Sequence, residues 1–330
     1  MPLAQKQVYN GCDGGEHTMT NGKSGSVATR VEQFNSEFGL GDELRFAQTP
    51  SGLIYAQVKT AAASATVFLQ GAHVTAWQPT GAKPVLFTSS ASPFEPGVPI
   101  RGGVPLVFPW FGFYGGDKRE GVDYPQHGPA RISEWTLAEV ERRGDALALL
   151  LQFATNDAMR STGFAGLSAE FEVVFGRELT MEMRVHNANK ESASFEDALH
   201  TYFAVGDITK TTVEGLRGLT YLDKTADIIE KVQTHDAIPM GEFMDSVYLN
   251  TEATCVIHDH AQKRCIRVAK SGSKTTVVWN PGAERCPKVP GLAPEDWKQF
   301  LCVETANANR DALTIKPGAT HHMRAEISVT

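Results

Sequence analysis

The sequence predicts an all-β protein built mainly from antiparallel strands. More than a dozen short segments rich in β-branched and aromatic residues are separated by Gly, Pro, Ser or Asn, which is the pattern of strands and turns. Almost no segment has the apolar period of an amphipathic helix. A single open sheet of this many strands cannot bury both faces, so we expect two packed layers with a concave face that could hold a small ligand.

The first 26 residues are rich in Gly, Asn, Ser and Thr and contain few apolar anchors. We predict a flexible N-terminal tail over 1–26. A helical or irregular lead-in follows at 31–44, broken at Gly39 and Gly41. No linker or repeat of fixed period divides the remainder, so 27–330 is predicted to form a single domain.

The strand candidates follow one another along the chain, and the pair FEVVF and LTMEMRV, joined through Gly176 and Arg177, has the alternation of a hairpin. The predicted strands are 53–59, 64–70, 73–78, 133–142, 146–154, 167–175, 179–187, 195–205, 254–258, 265–269, 275–279, 300–305, 313–316 and 322–329.

Composition excludes several classes of protein. At 330 residues, with 42% hydrophobic and 21% charged residues, the chain is typical of globular proteins. No apolar run approaches the ~20 residues that a bilayer requires, so we expect no membrane partner. The net charge of −7 argues against a nucleic-acid surface, although a small cationic pocket remains compatible with it.

The five cysteines are an odd number, with no CxxC pair and no zinc-ligand spacing. A reducing compartment fits this usage best. Neither a secretory signal nor a transit peptide is apparent in the first residues, so we predict a cytoplasmic protein. We expect it to act as a monomer.

One stretch, 99–131, is not explained by composition. It begins PIRGGVPLVFPWFG and ends QHGPAR. Its prolines fix φ and its glycines permit unusual backbone angles, which predicts a rigid loop whose apolar residues pack into the body of the protein. Arg101 and Arg131 bracket it. Two guanidinium groups on stiff backbone suit a carboxylate or a phosphate, but they could equally be ordinary surface arginines.

Two predicted strands carry polar residues among apolar ones. In FEDALHTYF, a period of two puts His200 and Tyr202 on one face. In QFLCVETAN, Glu304 shares a face with Cys302. A carboxylate inside an apolar strand is costly unless it is paired or functional. Each residue alone also has a structural explanation, as a hydrogen-bonded core histidine or as half of an ion pair.

Taken together, PIRGGVPLVFPWFG, QHGPAR, DALHTYF and LCVET, in this order and at this spacing, closely resemble the hexose-6-phosphate mutarotases of the aldose 1-epimerase superfamily. The resemblance covers about 53–330 and leaves the tail without a counterpart. It implies a galactose-mutarotase-like β-supersandwich of mainly antiparallel strands, a sugar phosphate as the small-molecule partner, and no metal or other cofactor.

The resemblance also implies roles for individual residues. His200 corresponds to the general acid and Glu304 to the general base. His127 could contact the sugar or could be a hydrogen-bonded loop residue. The residues that match substrate-binding positions are Arg101, Gln126, Arg131 and, in the shorter and weaker motif GEFMDSVY, Asp245.

Anomer interconversion needs such a set. A base removes the proton of the anomeric hydroxyl while an acid protonates the ring oxygen, and the open aldehyde then rotates and recloses. We expect an imidazolium at His200 beside a carboxylate at Glu304, each favouring the charge of the other. Asp245 would accept sugar hydroxyl protons. A dianionic phosphate would account for two arginines on a rigid loop of an acidic protein.

Three alternatives remain open. The same chemistry could act on an unphosphorylated aldose. A non-catalytic carbohydrate-binding β-sandwich could use aromatic residues such as Trp77, Trp110 and Trp279, although His200 and Glu304 argue against it. A glycoside hydrolase fits less well, because it usually needs two carboxylates beside the scissile bond.

Overall fold

The computed structural model of the chain describes residues 27–241 and 243–330. The predicted tail at 1–26 lies outside the described residues, and the single domain over 27–330 stays a prediction. Among the helices of the described ranges, none is long and apolar enough to cross a membrane.

Within the described residues the chain forms 23 strands and a few short helices. The strands are β1 (Leu44–Gln48), β2 (Ile54–Lys59), β3 (Ala63–Phe68), β4 (His73–Pro79), β5 (Leu106–Val107), β6 (Thr136–Arg143), β7 (Ala146–Phe153), β8 (Leu167–Phe175), β9 (Leu179–Asn187), β10 (Ala193–Phe195), β11 (Asp197–Leu199), β12 (Tyr202–Ala204), β13 (Thr211–Glu214), β14 (Thr220–Asp223), β15 (Ile229–Val232), β16 (Ile238–Pro239), β17 (Met244–Tyr248), β18 (Cys255–Asp259), β19 (Arg264–Ser271), β20 (Thr275–Asn280), β21 (Phe300–Asn307), β22 (Leu313–Ile315) and β23 (Thr320–Val329). The α-helices are α1 (Val27–Phe38), α2 (Asp157–Thr162) and α3 (Gly282–Arg285), and the 3₁₀ helices are Ala130–Ile132, Ile208–Lys210, Cys286–Lys288, Asp296–Lys298 and Asn309–Asp311.

These strands form two large sheets and two small ones. The larger sheet has nine strands in the order β16-β13-β18-β19-β23-β9-β8-β7-β6. The second has eight, β15-β14-β17-β20-β21-β11-β5, with β12 also paired to β21. β1–β4 form a four-stranded sheet and β10 pairs with β22. The pairings between these strands are antiparallel, which confirms the predicted all-β fold class.

Burial differs between the two large sheets. β8 and β9 alternate buried and half-buried residues, because one face packs on the core and the other is partly open to water. β21 is buried at all eight positions, because it lies inside its sheet with covered faces on both sides. Leu301 and Val303 belong to the main core, whereas Cys302 belongs to a separate apolar cluster. The predicted face of Glu304, opposite Val303, is therefore confirmed.

The local predictions hold where alternation is strong. The hairpin of β8 and β9 has the predicted bounds. The segment predicted as one strand at 195–205 is instead divided among β10, β11 and β12. The division at His200 has a local cause: its N–H donates to the carbonyl of Pro105, and the N–H of Thr201 turns back to the carbonyl of Leu199. The lead-in is α1 followed by β1, a strand that the sequence analysis missed.

A buried carboxyl group joins the two central strands. Asp197 on β11 is fully buried, and its Oδ1 accepts a 2.9 Å hydrogen bond from Nδ2 of Asn307, its register partner on β21. Oδ2 has no hydrogen-bond partner in the described part of the chain. Burial raises the pKa of Asp197 from 3.8 to about 7, with the hydrogen bonds from Asn307 opposing this shift and the charge of Glu196 adding to it. Ionising Asp197 therefore costs free energy in the folded state alone.

This cost predicts how stability depends on pH. The unfolded chain ionises Asp197 near pH 4 but the folded chain only near pH 7, so the group lowers the free energy of unfolding as pH rises through that window, by up to about 1.4 kcal/mol per pH unit. Asp197→Asn removes the dependence. Between pH 5 and 7.5 we expect the free energy of unfolding of the variant to rise relative to that of the wild type, as measured by urea unfolding.

Asp259 provides the matched control, since it is equally buried but lies 3.3 Å from Nε of Arg264. Asp259→Asn should destabilise the protein throughout the range from pH 5 to 7.5, because it leaves the buried Arg264 without its carboxylate partner. A constant difference between Asp197→Asn and the wild type across this pH range would contradict the assignment.

Candidate active site

A cavity of about 600 Å³ lies against the face of the eight-stranded sheet that carries Glu304. Five of the six predicted site residues line it: Arg101, Gln126, His200, Asp245 and Glu304. A larger groove of about 770 Å³ crosses β1–β4, but its charged residues, Asp42, Arg45 and Lys59, are all exposed. We therefore place the candidate chemistry in the smaller cavity.

Strand register brings the predicted acid and base together. Leu199 pairs with Thr305, and after the break Tyr202 pairs with Cys302. Continuing the same register through the break puts His200 opposite Glu304. Nδ1 of His200 lies 3.4 Å from Oε1 of Glu304, and the glutamate side chain is 1% exposed.

This approach does not form a well-aligned hydrogen bond. Nδ1 of His200 and Oε2 of Glu304 are both buried, and neither has a hydrogen-bond partner among the residues that the structure describes. Rings fix the imidazole instead: it stacks on Tyr202 at 5.0 Å and meets His127 and Trp279 edge to face. The two groups are thus held near each other, and each keeps a polar atom that is not engaged in a hydrogen bond with any described residue.

The protonation of the pair differs from the expected imidazolium and carboxylate. Burial, followed by the charge of Arg131, lowers the pKa of His200 from 6.5 to about 3. Burial and then the charge of Asp245 raise the pKa of Glu304 well above 4.5, with Lys224 opposing them. Loss of hydration outweighs the mutual attraction of the two charges. Before substrate binds, the favoured form is therefore a neutral imidazole beside a protonated carboxyl group, so the pair holds one proton.

Arg101 owes its position to two glycines. Gly103 has φ +61°, and a Cβ there would lie 2.2 Å from the carbonyl oxygen of Val74. A Cβ on Gly102 would lie 2.4 Å from the carbonyl oxygen of Phe87. The loop can therefore approach the neighbouring backbone only without side chains here. Arg101 extends beyond it, and its Nε donates to the carbonyl of Pro290 at 2.8 Å.

The apolar part of the predicted rigid loop around Leu106 packs inward. Leu106 and Phe108 are fully buried in the main core, and β5 within the loop pairs with β11. The prediction that these apolar residues join the body of the protein is confirmed.

Arg131 occupies a different position from Arg101. It is 5% exposed and is not among the described residues that line the cavity. Its Nη2 donates to the main-chain oxygen of Gln126 at 2.6 Å, while its Nε has no partner in the described ranges. Burial, together with the charge of Arg101, lowers the pKa of Arg131 from 12.5 to about 9. The guanidinium thus supports the turn that presents Gln126, and its charge acts on the nearby His200.

His127 is a hydrogen-bonded loop residue that also lines the cavity. Its N–H donates to the carbonyl of Gly112, and its Nδ1 accepts the N–H of Gly112 at 3.1 Å. Asp245, on β17, is partly buried, and burial raises its pKa, with Lys224 opposing the shift. His127 and Asp245 therefore add one neutral ring and one carboxyl group to the wall.

The sequence analysis missed two cavity lysines. Lys224 directly follows β14, and Lys288 ends a 3₁₀ helix beside the loop that accepts the Arg101 hydrogen bond. Neither belongs to a recognisable motif, and only tertiary structure brings them near Arg101 and Asp245. Cys302 was noted solely for its strand face. Together with His200 and Glu304 it forms the one group of potential metal ligands found within the described residues.

Comparisons with known proteins agree with this geometry. A family model described as aldose 1-epimerase matches residues 56–328. A protein of Escherichia coli (strain K12) that carries the provisional name glucose-6-phosphate 1-epimerase is 36% identical over 260 residues, which cover 78% of this chain and 84% of that protein. A protein of Cenchrus ciliaris with the same provisional name is 31% identical over 291 residues, covering 85% of this chain and 86% of its own.

Solved structures lead to the same fold. The crystal structure of a provisionally named mutarotase from Salmonella typhimurium matches with a TM-score of 0.81 and 31% identity, over 88% of this chain and 95% of that one. A galactose mutarotase-like protein from Clostridium acetobutylicum, at 14% identity, a TM-score of 0.65 and coverage of 87% and 98%, shares the fold. The architecture is therefore the predicted galactose-mutarotase-like one, and the chain is an enzyme of the aldose 1-epimerase family.

Proposed function

We propose that the enzyme interconverts the α and β anomers of a hexose 6-phosphate, most favourably glucose 6-phosphate. The observation that carries the proposal is the buried His200–Glu304 pair, 3.4 Å apart, in a cavity that Arg101 and Lys288 also line. The provisional names of the relatives, glucose-6-phosphate 1-epimerase, support the same substrate. The expected reaction needs neither a metal nor a redox cofactor.

The pair has the right proton count for ring opening. A carboxylate at Glu304 takes the proton of the anomeric hydroxyl while an imidazolium at His200 gives a proton to the ring oxygen. The products are an open-chain aldehyde, a protonated Glu304 and a neutral His200. Rotation about the C1–C2 bond exposes the other carbonyl face, and closure reverses both proton transfers. The form favoured before substrate binds is therefore the form that accompanies the open-chain intermediate.

The remaining polar groups suit the rest of the substrate. Asp245 accepts a hydrogen bond from a sugar hydroxyl, and Gln126 offers its side-chain amide to another hydroxyl. Arg101 and Lys288 receive the phosphate, one as a planar fork and the other as a point charge. Arg131 contributes positive potential from behind the Gln126 turn and keeps that turn in place.

We further propose that the enzyme works as a cytoplasmic monomer on small-molecule sugar phosphates, without nucleic-acid or membrane partners. The net charge of −7 supports the absence of a nucleic-acid partner. Free thiols at Cys255, Cys265, Cys286 and Cys302 suit a reducing compartment.

Removing either member of the pair should nearly abolish catalysis. We expect His200→Asn and Glu304→Gln each to slow anomer exchange of glucose 6-phosphate by ~10²–10⁴-fold, the usual worth of general acid or base assistance. Two-dimensional NMR exchange spectroscopy measures this rate directly. His321→Asn, a change at a half-buried histidine outside the cavity, should retain the wild-type rate. A near-wild-type rate in either cavity variant, with an unchanged melting temperature, would remove that residue from the mechanism.

Replacing the positively charged residues should affect activity on glucose 6-phosphate and on free glucose differently. Arg101→Ala should cost ~2–4 kcal/mol in kcat/KM for glucose 6-phosphate and much less for glucose, because only the former loses a charged partner. Lys288→Met, which keeps the aliphatic stem, should act in the same direction. Arg131→Ala should slow anomer exchange of both sugars and lower Tm, because it releases the turn at Gln126 as well as removing a charge.

The matched control is Lys298→Met, which neutralises an exposed lysine paired with Glu295 and should leave both sugars unaffected. Equal losses on glucose and glucose 6-phosphate in the Arg101→Ala variant would overturn the phosphate assignment. That result would favour the aldose 1-epimerase alternative acting on unphosphorylated sugar.

A further inference from the structure

We propose that His200, Cys302 and Glu304 form a three-ligand site for a thiophilic divalent cation such as Zn²⁺, and that a cation bound there blocks the acid and base. Binding depends only on these three side chains. The loss of activity rests on the proposed function, and the experiment below separates the two.

Strand register creates the site. Cys302 and Glu304 are two residues apart on one face of β21, and His200 stands opposite Glu304. One potential ligand atom from each residue lies within 4.8 Å of the other two. Nitrogen, thiolate and carboxylate donors are the set that zinc prefers.

The distances suit tetrahedral coordination. The 3.4 Å between Nδ1 of His200 and Oε1 of Glu304 matches the edge of a zinc tetrahedron, about 3.3 Å for bonds of about 2.0–2.1 Å. The sulfur of Cys302 must come to about 3.6 Å from each neighbour, given a zinc–sulfur bond of about 2.3 Å. A small side-chain rotation is therefore sufficient.

Two of the three residues also carry buried polar atoms without partners among the residues described. Nδ1 of His200 and Oε2 of Glu304 have no hydrogen bond within the described chain, although the residues are only 8% and 2% exposed. Buried polar atoms of this kind usually have a partner. Ligation at Nδ1 supplies one there, and both the thiol of Cys302 and the carboxyl group of Glu304 give their protons to solvent as the metal binds.

The cavity provides access and the fourth ligand. His200 and Glu304 line it, so a hydrated cation can arrive from solvent and keep one water facing the cavity. The carboxyl group of Asp245 also lines this space and favours a cation, whereas Lys224 and Arg101 oppose one. The bound metal would occupy the nitrogen and oxygen that ring opening needs, so neither could transfer a proton.

Cadmium binding tests the site without any catalytic readout. Cd²⁺ added to chelator-treated protein should produce the ultraviolet charge-transfer band of a cadmium thiolate. Cys302→Ala should lose the band, because the thiolate is its source, and should weaken Cd²⁺ binding by more than the ~10–100-fold that loss of an outer-shell partner costs. Cys286→Ala is the matched control, because Cys286 is equally buried in the same apolar cluster but does not belong to the group of three potential ligands. Cys302→Ser serves as the second variant should Cys302→Ala fold poorly.

Zinc inhibition tests the consequence. Zn²⁺ should slow anomer exchange of glucose 6-phosphate by wild type and Cys286→Ala, and chelator should restore it. Cys302→Ala, active with chelator, should resist Zn²⁺. An unchanged cadmium band in Cys302→Ala would overturn the proposed metal site. A wild-type protein that shows the cadmium band but is not inhibited by Zn²⁺ would overturn the proposal that bound metal blocks the acid and base. A band in a protein that shows no exchange even with chelator would leave the metal site standing and overturn the proposed function.

Discussion

The antiparallel register between β21 and the β11–β12 segment is the constraint on which the site depends. One alignment puts Asp197 opposite Asn307 and Tyr202 opposite Cys302, and between these pairs it puts His200 beside Glu304. A slip of one residue would turn Glu304 toward the main core and Val303 toward the cavity. The buried Asp197–Asn307 hydrogen bond, the packing of Tyr202 and the candidate chemistry therefore share a single structural cause.

Burial makes this arrangement both useful and costly. Because β21 lies inside its sheet, His200 and Glu304 lose most of their hydration, and their pKa values move in opposite directions until both groups are neutral. The charged form needed to open the sugar ring must therefore be favoured by what the substrate brings. A phosphate that offsets Arg101 would favour the imidazolium at His200, and sugar hydroxyls that donate hydrogen bonds to Glu304 would favour its carboxylate.

Sequence periodicity could predict faces but not partners. It put Glu304 with Cys302 and His200 with Tyr202, and it gave the β8–β9 hairpin its bounds, because alternation records which side of a strand is buried. It could not place Lys288 near Arg101, since that proximity comes from loops distant in the chain. Nor could it foresee the neutral pair, because desolvation depends on the sheets that cover β21.

The proposed catalytic residues and the proposed recognition residues are held by different kinds of structure. His200 and Glu304 depend on paired central strands, whereas Arg101 and Gln126 come from loops and Lys288 from the end of a short 3₁₀ helix. Loops can change sequence and length without altering strand register. The acid–base pair can therefore stay fixed while the groups that contact the rest of the sugar vary, which allows one fold to serve different aldoses. Phosphate recognition would then be a property of the loops, separable by mutation from anomer interconversion itself.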